Sequence, residues 1–111
     1  MSELARTTVP EQIQRRRTEL VALCRKYGVA RLELFGSAAT DKFDEDSSDF
    51  DFLIEFFPEQ DLGPWMKYFF ELEQELKELF GREVDLIFGS NIRNPFLKQS
   101  IEATRTLLYA A

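Results

Sequence analysis

Histidine is absent from this chain of 111 residues. That absence excludes Ser-His-Asp and Cys-His nucleophilic catalysis, and with them every histidine-ligated zinc site. Cysteine occurs once, as Cys24, so no internal disulfide can form. Any metal must then be held by oxygen, which points to magnesium, manganese or calcium. Long apolar runs are missing too: none is long enough to span a bilayer, and no signal-peptide pattern opens the chain. No membrane contact and a cytoplasmic location are the resulting expectations. Positive charge is scarce. Fourteen Lys and Arg against twenty Asp and Glu leave a net charge of -6, whereas proteins that hold nucleic acid by counterion release are usually basic. General nucleic-acid binding is therefore not expected. An acidic chain that handles phosphates needs divalent cations to offset the repulsion.

What is present describes a folded protein. Hydrophobic residues make up 44% and charged residues 31%, and eleven phenylalanines supply large pieces for a core. Residues 1–111 are expected to form a single domain. Residues 1–7 read as a frayed terminus. Thr8 to Glu11 fits a capping box, with Pro10 in the first turn. Ile13, Leu20, Val21, Cys24 and Tyr27 then recur at helical spacing, and Gly28 is a natural stop. Arg15, Arg16 and Arg17 read as a solvated helix face. Val29 to Phe35 alternates as a strand. Phe50 to Phe57 is a second strand, with Phe50, Phe52, Ile54 and Phe56 on one face.

Pro58 to Pro64 reads as a loop, and the spacing of Trp65, Phe69, Leu72, Leu76 and Leu79 predicts a helix ending at Gly81. "REVDLIF" is a third strand, with Asp85 and Ile87 on one face. A last helix follows Asn94-Pro95, with Leu97, Ile101 and Leu108 facing inward. The order helix, strand, strand, helix, strand, helix predicts an α/β (α+β) fold, a small sheet flanked by helices.

The chemistry lies between Leu32 and Phe56, in "LELFGSAATDKFDEDSSDFDFLIEF". Asp49 and Asp51, two apart, project to one side with Cβ atoms roughly 7 Å apart, set by the strand rise. Carboxylates that close raise one another's proton affinity unless a cation sits between them. Asp85 stands on another strand in the same pattern, one acid among apolar neighbours. If the strands pair, three carboxylates converge on a site suited to magnesium and substrate phosphates. Upstream, Gly36-Ser37 comes off the first strand, and "SAATDK" can open a short helical turn. Glycine permits close approach to a ligand, and amides at a helix start favour phosphate oxygens. Taken singly, each part has a plainer meaning: a turn, a loop cap, a strand with one exposed acid. The signal is their order. The acids between Asp41 and Asp46 read only as loop.

With Gly36-Ser37, Asp49-x-Asp51 and Asp85 in that order, the chain resembles the minimal nucleotidyltransferases of the DNA polymerase β superfamily. The ending "RNPFLKQSIEATRTLLYAA" resembles that of small stand-alone members. Eleven residues separate Ser37 from Asp49, one more than in many members. Ala39-Thr40-Asp41 stands where an Arg-Gly pair is common, leaving Lys42 as the nearby basic residue for the triphosphate. The resemblance implies a small mixed sheet and transfer of a nucleoside monophosphate, AMP from ATP, to an acceptor hydroxyl. Asp49 and Asp51 would bind two magnesium ions. Asp85 would complete the metal site and take the hydroxyl proton. Gly36 and Ser37 would hold the β/γ-phosphates. Small members are typically encoded with a HEPN-domain partner as an antitoxin–toxin pair, so the acceptor is expected on such a protein. Arg15 to Arg17, or the helix from Trp65, would belong to that interface. The alternative implied by the same family is a non-catalytic antitoxin that neutralises a HEPN partner by binding alone.

Overall fold

The computed structural model describes residues 8–40, 43, 49–89 and 92–111. The frayed terminus expected at residues 1–7, Lys42 and the loop acids Asp41, Asp44, Glu45 and Asp46 lie outside them. The elements run α1 (Glu11–Arg15), α2 (Arg17–Lys26), β1 (Val29–Phe35), a 3-10 turn (Ser37–Ala39), β2 (Phe50–Phe56), a second 3-10 turn (Pro64–Met66), α3 (Lys67–Phe80), β3 (Val84–Phe88), α4 (Pro95–Thr104) and β4 (Thr106–Ala110).

Alternation in the strands sorts their side chains to two faces. The four-stranded sheet has the order β3-β2-β1-β4. β1 runs antiparallel to both β2 and β4, and β2 runs parallel to β3. A parallel neighbour requires a long crossover, which α3 supplies. On one face Leu32, Leu34, Phe50, Phe52, Ile54 and Val84 pack with Ile13, Leu20, Cys24, Leu72, Leu76 and Phe80 of the first three helices. Phe50 meets Phe80 edge to face, with ring centroids 5.2 Å apart. Each fully buried Phe of this kind stabilises the fold by about 1.5–3 kcal/mol. Cys24 lies in that core, and burial pushes its thiol up to about 12, so it packs rather than reacts. On the other face α4 makes a smaller cluster of Phe35, Leu53 and Ile101, with Ile87, Ile92 and Leu97 against it.

Local signals for chain ends are realised at three places. Gly28 follows α2 at φ 72, and Gly81 closes α3 at φ 62 with its N–H donating to the Lys77 carbonyl at 2.7 Å. The Asn94 side chain caps α4 by accepting from the N–H groups of Phe96 and Leu97. Among the described residues no helix is long and apolar enough to cross a membrane.

Four expectations are corrected. The Thr8–Glu11 capping box does not form: Pro10 is the cap residue without a side-chain bond, and the Thr8 N–H is drawn instead to the Ala39 carbonyl at 2.8 Å. The first helix is two helices, broken at Arg16, whose N–H turns back to Ile13 while its carbonyl starts the next helix by accepting from Leu20. Trp65 does not face inward. Trp65 and Met66 adopt left-handed φ of 56° and 58°, the helix begins only at Lys67, and Trp65 is left 94% exposed. Leu108 belongs to no helix, because α4 stops at Thr104 and the chain returns as edge strand β4 alongside β1. Its inward direction still holds, since Leu108 is buried.

Candidate active site

The acids are assembled by strand register. β2 is central, and Asp51 stands opposite Asp85 of parallel β3 and opposite Phe35 of antiparallel β1. Their side chains share the face that carries Leu53, Ile87 and α4, so the pair lies on the less covered side of the sheet. Asp85 is exposed and Asp51 half-buried. Asp49 precedes β2 and is exposed. The entry of the strand is pinned by Phe50, whose N–H donates to the Glu83 carbonyl at 3.1 Å.

Electrostatics single out Asp51. Its pKa is pushed up to about 6, first by burial, then by the negative charges of Asp85 and Asp49, and by a side-chain hydrogen bond with Asp85. A carboxylate in that position binds a proton or a cation readily. Among the described residues no three acidic, cysteine or histidine side chains are gathered closely enough, as they stand, to hold a metal ion. The donor set nonetheless fits a hard cation: it is all carboxylate oxygen, and Asp51 and Asp85 are already paired.

Gly36 is placed against this pair. It directly follows Phe35 at φ 80, and a Cβ built on it would lie 2.8 Å from Asp51 Oδ2. Any side chain would strike the carboxylate in a conformation that L-residues rarely adopt. Ser37 is exposed and opens the 3-10 turn, which closes through Ala39 N–H to the Gly36 carbonyl (3.0 Å) and Thr40 N–H to the Ser37 carbonyl (3.1 Å). Ala38 and Ala39, the rest of that turn, are fully buried. Thus Asp51, Asp85 and Gly36 are brought together, with Asp49 and Ser37 on their flanks.

Two features of this face were not foreseen. Glu33 is 2% exposed. It accepts from Arg31 Nε at 2.7 Å and from Arg105 Nε and an Arg105 terminal nitrogen at 2.7 and 3.0 Å. Hydrogen bonds from Arg105 foremost hold its carboxyl below the usual range. The Gly36 N–H donates to Thr104 Oγ1 at 2.8 Å. Arg105 and Thr104 cannot be inferred from local pattern, since they lie 72 and 68 positions from Glu33 and Gly36 and depend on α4 packing over β1.

A cavity of about 210 Å³ on the α4 side of the sheet is lined by Leu53, Gly89, Ile92, Lys98, Ile101, Glu102 and Arg105, and by none of the candidate acids. The larger cavity, about 720 Å³, is lined by α1 and the end of α3, including Arg15, Arg16 and Arg82, and by none of the candidate acids.

Comparison with known proteins agrees with this geometry. The family model of the nucleotidyltransferase domain matches residues 19–108. A Methanocaldococcus jannaschii protein that carries the provisional name protein adenylyltransferase is 44% identical over 77 residues, covering 69% of this chain and 74% of that one. A solved structure provisionally described as a minimal nucleotidyltransferase superposes with a TM-score of 0.65 at 25% identity, covering 86% of this chain and 93% of that one. A chain in the structure of the tri-AMPylated Shewanella oneidensis HEPN toxin in complex with MNT antitoxin gives a TM-score of 0.59 at 21% identity, covering 88% and 72%. With Gly36 close against Asp51, and Asp51 in register with Asp85 on a sheet of this order, the chain belongs to the nucleotidyltransferase-domain family.

Proposed function

We propose that this chain is a magnesium-dependent adenylyltransferase that moves AMP from ATP to a hydroxyl on a separate HEPN-domain protein, working as a single domain in the cytoplasm. The observation that carries the reading is the Asp51–Asp85 register pair with Gly36 packed against it. The relative named as a protein adenylyltransferase and the AMPylated HEPN toxin in complex with MNT antitoxin support the choice of donor and acceptor.

The acceptor oxygen forms a bond to the α-phosphorus, the bond from that phosphorus to the β-bridging oxygen breaks, and pyrophosphate leaves with that oxygen. The hydroxyl proton passes to Asp85, exposed and therefore reachable by an incoming chain. Asp49, Asp51 and Asp85 would hold two magnesium ions, which when bound would orient the phosphates and offset charge on the attacking and leaving oxygens. Asp51 is the ligand most in need of a cation, because burial and two neighbouring acids already oppose its ionisation. Ser37 and the Gly36 turn receive the β/γ-phosphates, assisted by Lys42.

The test is mass spectrometry of the product of the neighbouring gene, the candidate HEPN-domain acceptor, after incubation with ATP, magnesium and the purified chain. A gain of one adenylyl group, absent with Asp51→Asn, is the expected result. Stable complex formation without any mass gain would refute transfer and leave neutralisation by binding.

A further inference from the structure

Thr104 closes α4, on the side of the helix nearest the Gly36-Ser37 turn. Its Oγ1 accepts the Gly36 N–H at 2.8 Å, and its own O–H donates to the Ser100 carbonyl at 2.6 Å. With the proton committed to Ser100, the hydroxyl faces Gly36 purely as an acceptor. The next residue, Arg105, reaches both carboxylate oxygens of Glu33 at 2.7 and 3.0 Å. Two consecutive residues at the end of α4 thus fasten to β1 on either side of Phe35, the residue opposite Asp51.

This anchorage matters because of what it holds. Gly36, at φ 80, sits where glycine turns most freely, and the candidate site cannot tolerate that freedom. The turn must lie close to Asp51, as the 2.8 Å from a built Cβ to Asp51 Oδ2 demonstrates. The far end of the turn is held by the core, where Ala38 and Ala39 are fully buried and the Ala39 carbonyl accepts from the Thr8 N–H, but its internal bonds, Ala39 to Gly36 and Thr40 to Ser37, leave the orientation of the Phe35–Gly36 peptide at its near end unfixed. The bond to Thr104 fixes it, because α4 is packed on the sheet through Ile101.

We propose that Thr104 is a positioning residue: by holding the Gly36 amide it sets the Gly36-Ser37 turn at a fixed distance from Asp51, where the phosphates of the nucleoside triphosphate are received. It touches neither substrate nor reacting atoms and acts through Gly36. A corollary is that the Gly36 N–H is committed to the protein, so that phosphate contact falls to Ser37. The inference rests on the nucleotidyl-transfer reading above.

The experiment compares the full chain with Thr104→Val, which keeps the shape and loses the acceptor, and Thr104→Ser, which restores it. Magnesium–ATP binding is read by calorimetry, transfer by KM and kcat, and protection of the Gly36 amide by NMR hydrogen exchange. Thr104→Val should raise Kd and KM about three- to tenfold, the worth of one hydrogen bond, with kcat changed less. It should also expose the Gly36 amide to exchange, and Thr104→Ser should reverse both effects. A merely structural role would lower the denaturation midpoint and leave Kd in place. If the wild type binds magnesium–ATP and Thr104→Val binds it equally, the positioning role is overturned and the transfer reading stands. If the wild type binds no magnesium–ATP, the transfer reading fails and takes this inference with it. Should Thr104→Val not fold, Thr104→Ala carries the same comparison.

Discussion

Replacing Asp51 by Asn should stabilise the metal-free protein at neutral pH, the opposite of what loss of a paired, buried polar group normally does. Asp51 carries a pKa of about 6 against an ordinary 3.8, so the folded state binds its proton more tightly than the unfolded chain does. Stability therefore falls as pH rises through the window from about 4 to about 6, and the penalty is fully present above it. A difference of about two units at 1.36 kcal/mol each sets an upper limit near 3 kcal/mol. The carboxyl is only half-buried, and solvent screening reduces the expected gain to about 1–2 kcal/mol. Urea denaturation of both proteins in a chelator, across pH 4.5 to 8, measures it. The advantage of Asp51→Asn should be largest above pH 7 and shrink to roughly a third of that at pH 4.5, where the wild-type carboxyl is mostly protonated when folded. Adding magnesium at pH 7.5 should raise the midpoint of the wild type and leave the variant nearly unmoved. If Asp51→Asn is no more stable than wild type at pH 7.5, or its advantage does not depend on pH, the ionised carboxylate is not under strain. The site is then not built for a cation.

Asp85→Asn should cut adenylyl transfer by about 100-fold or more while leaving the fold intact, because Asp85 is exposed; partner labelling with ATP and a denaturation curve check the two halves. Gly36→Ala should destabilise by about 1–3 kcal/mol through its positive φ and the clash with Asp51, and pairing it with Asp51→Ala should relieve part of that cost in a double-mutant cycle. Glu33→Ala should cost about 2–3 kcal/mol, less than a fully buried pair because Arg31 and Arg105 are partly exposed and regain water. The contribution of Glu33 is present above its ordinary pKa of 4.5 and lost as pH falls through its lowered folded value, so the deficit of the variant should narrow in acid.

Period and capping made much of this protein readable from its residues. The alternation of Val29–Phe35 and of Phe50–Phe56, the glycine after α3 and the Asn94 cap of α4 are each determined within a few positions along the chain. The same local logic singled out Asp49 and Asp51 as candidates, two carboxylates at a strand threshold, and Asp85 as one acid on a strand among apolar neighbours. It failed where the deciding contact was distant. Trp65 fits a helical stripe, yet the turn from Gly63 to Met66 swings it into solvent before the helix begins. "TLLYA" continues a helical pattern from α4, yet pairing with β1 makes it strand β4.

Sequence alone thus determined which residues carry charge, which face of each strand is apolar, and that the candidate acids offer only carboxylate oxygen. Only the tertiary structure decided that Asp51 meets Asp85 in register, that Gly36 closes on Asp51, and that Thr104 and Arg105 grip β1 from the end of α4. The reason is physical: periodicity and capping energies are settled over one or two turns of chain, whereas strand register and helix docking are settled by burial summed over segments that meet only when the chain has folded.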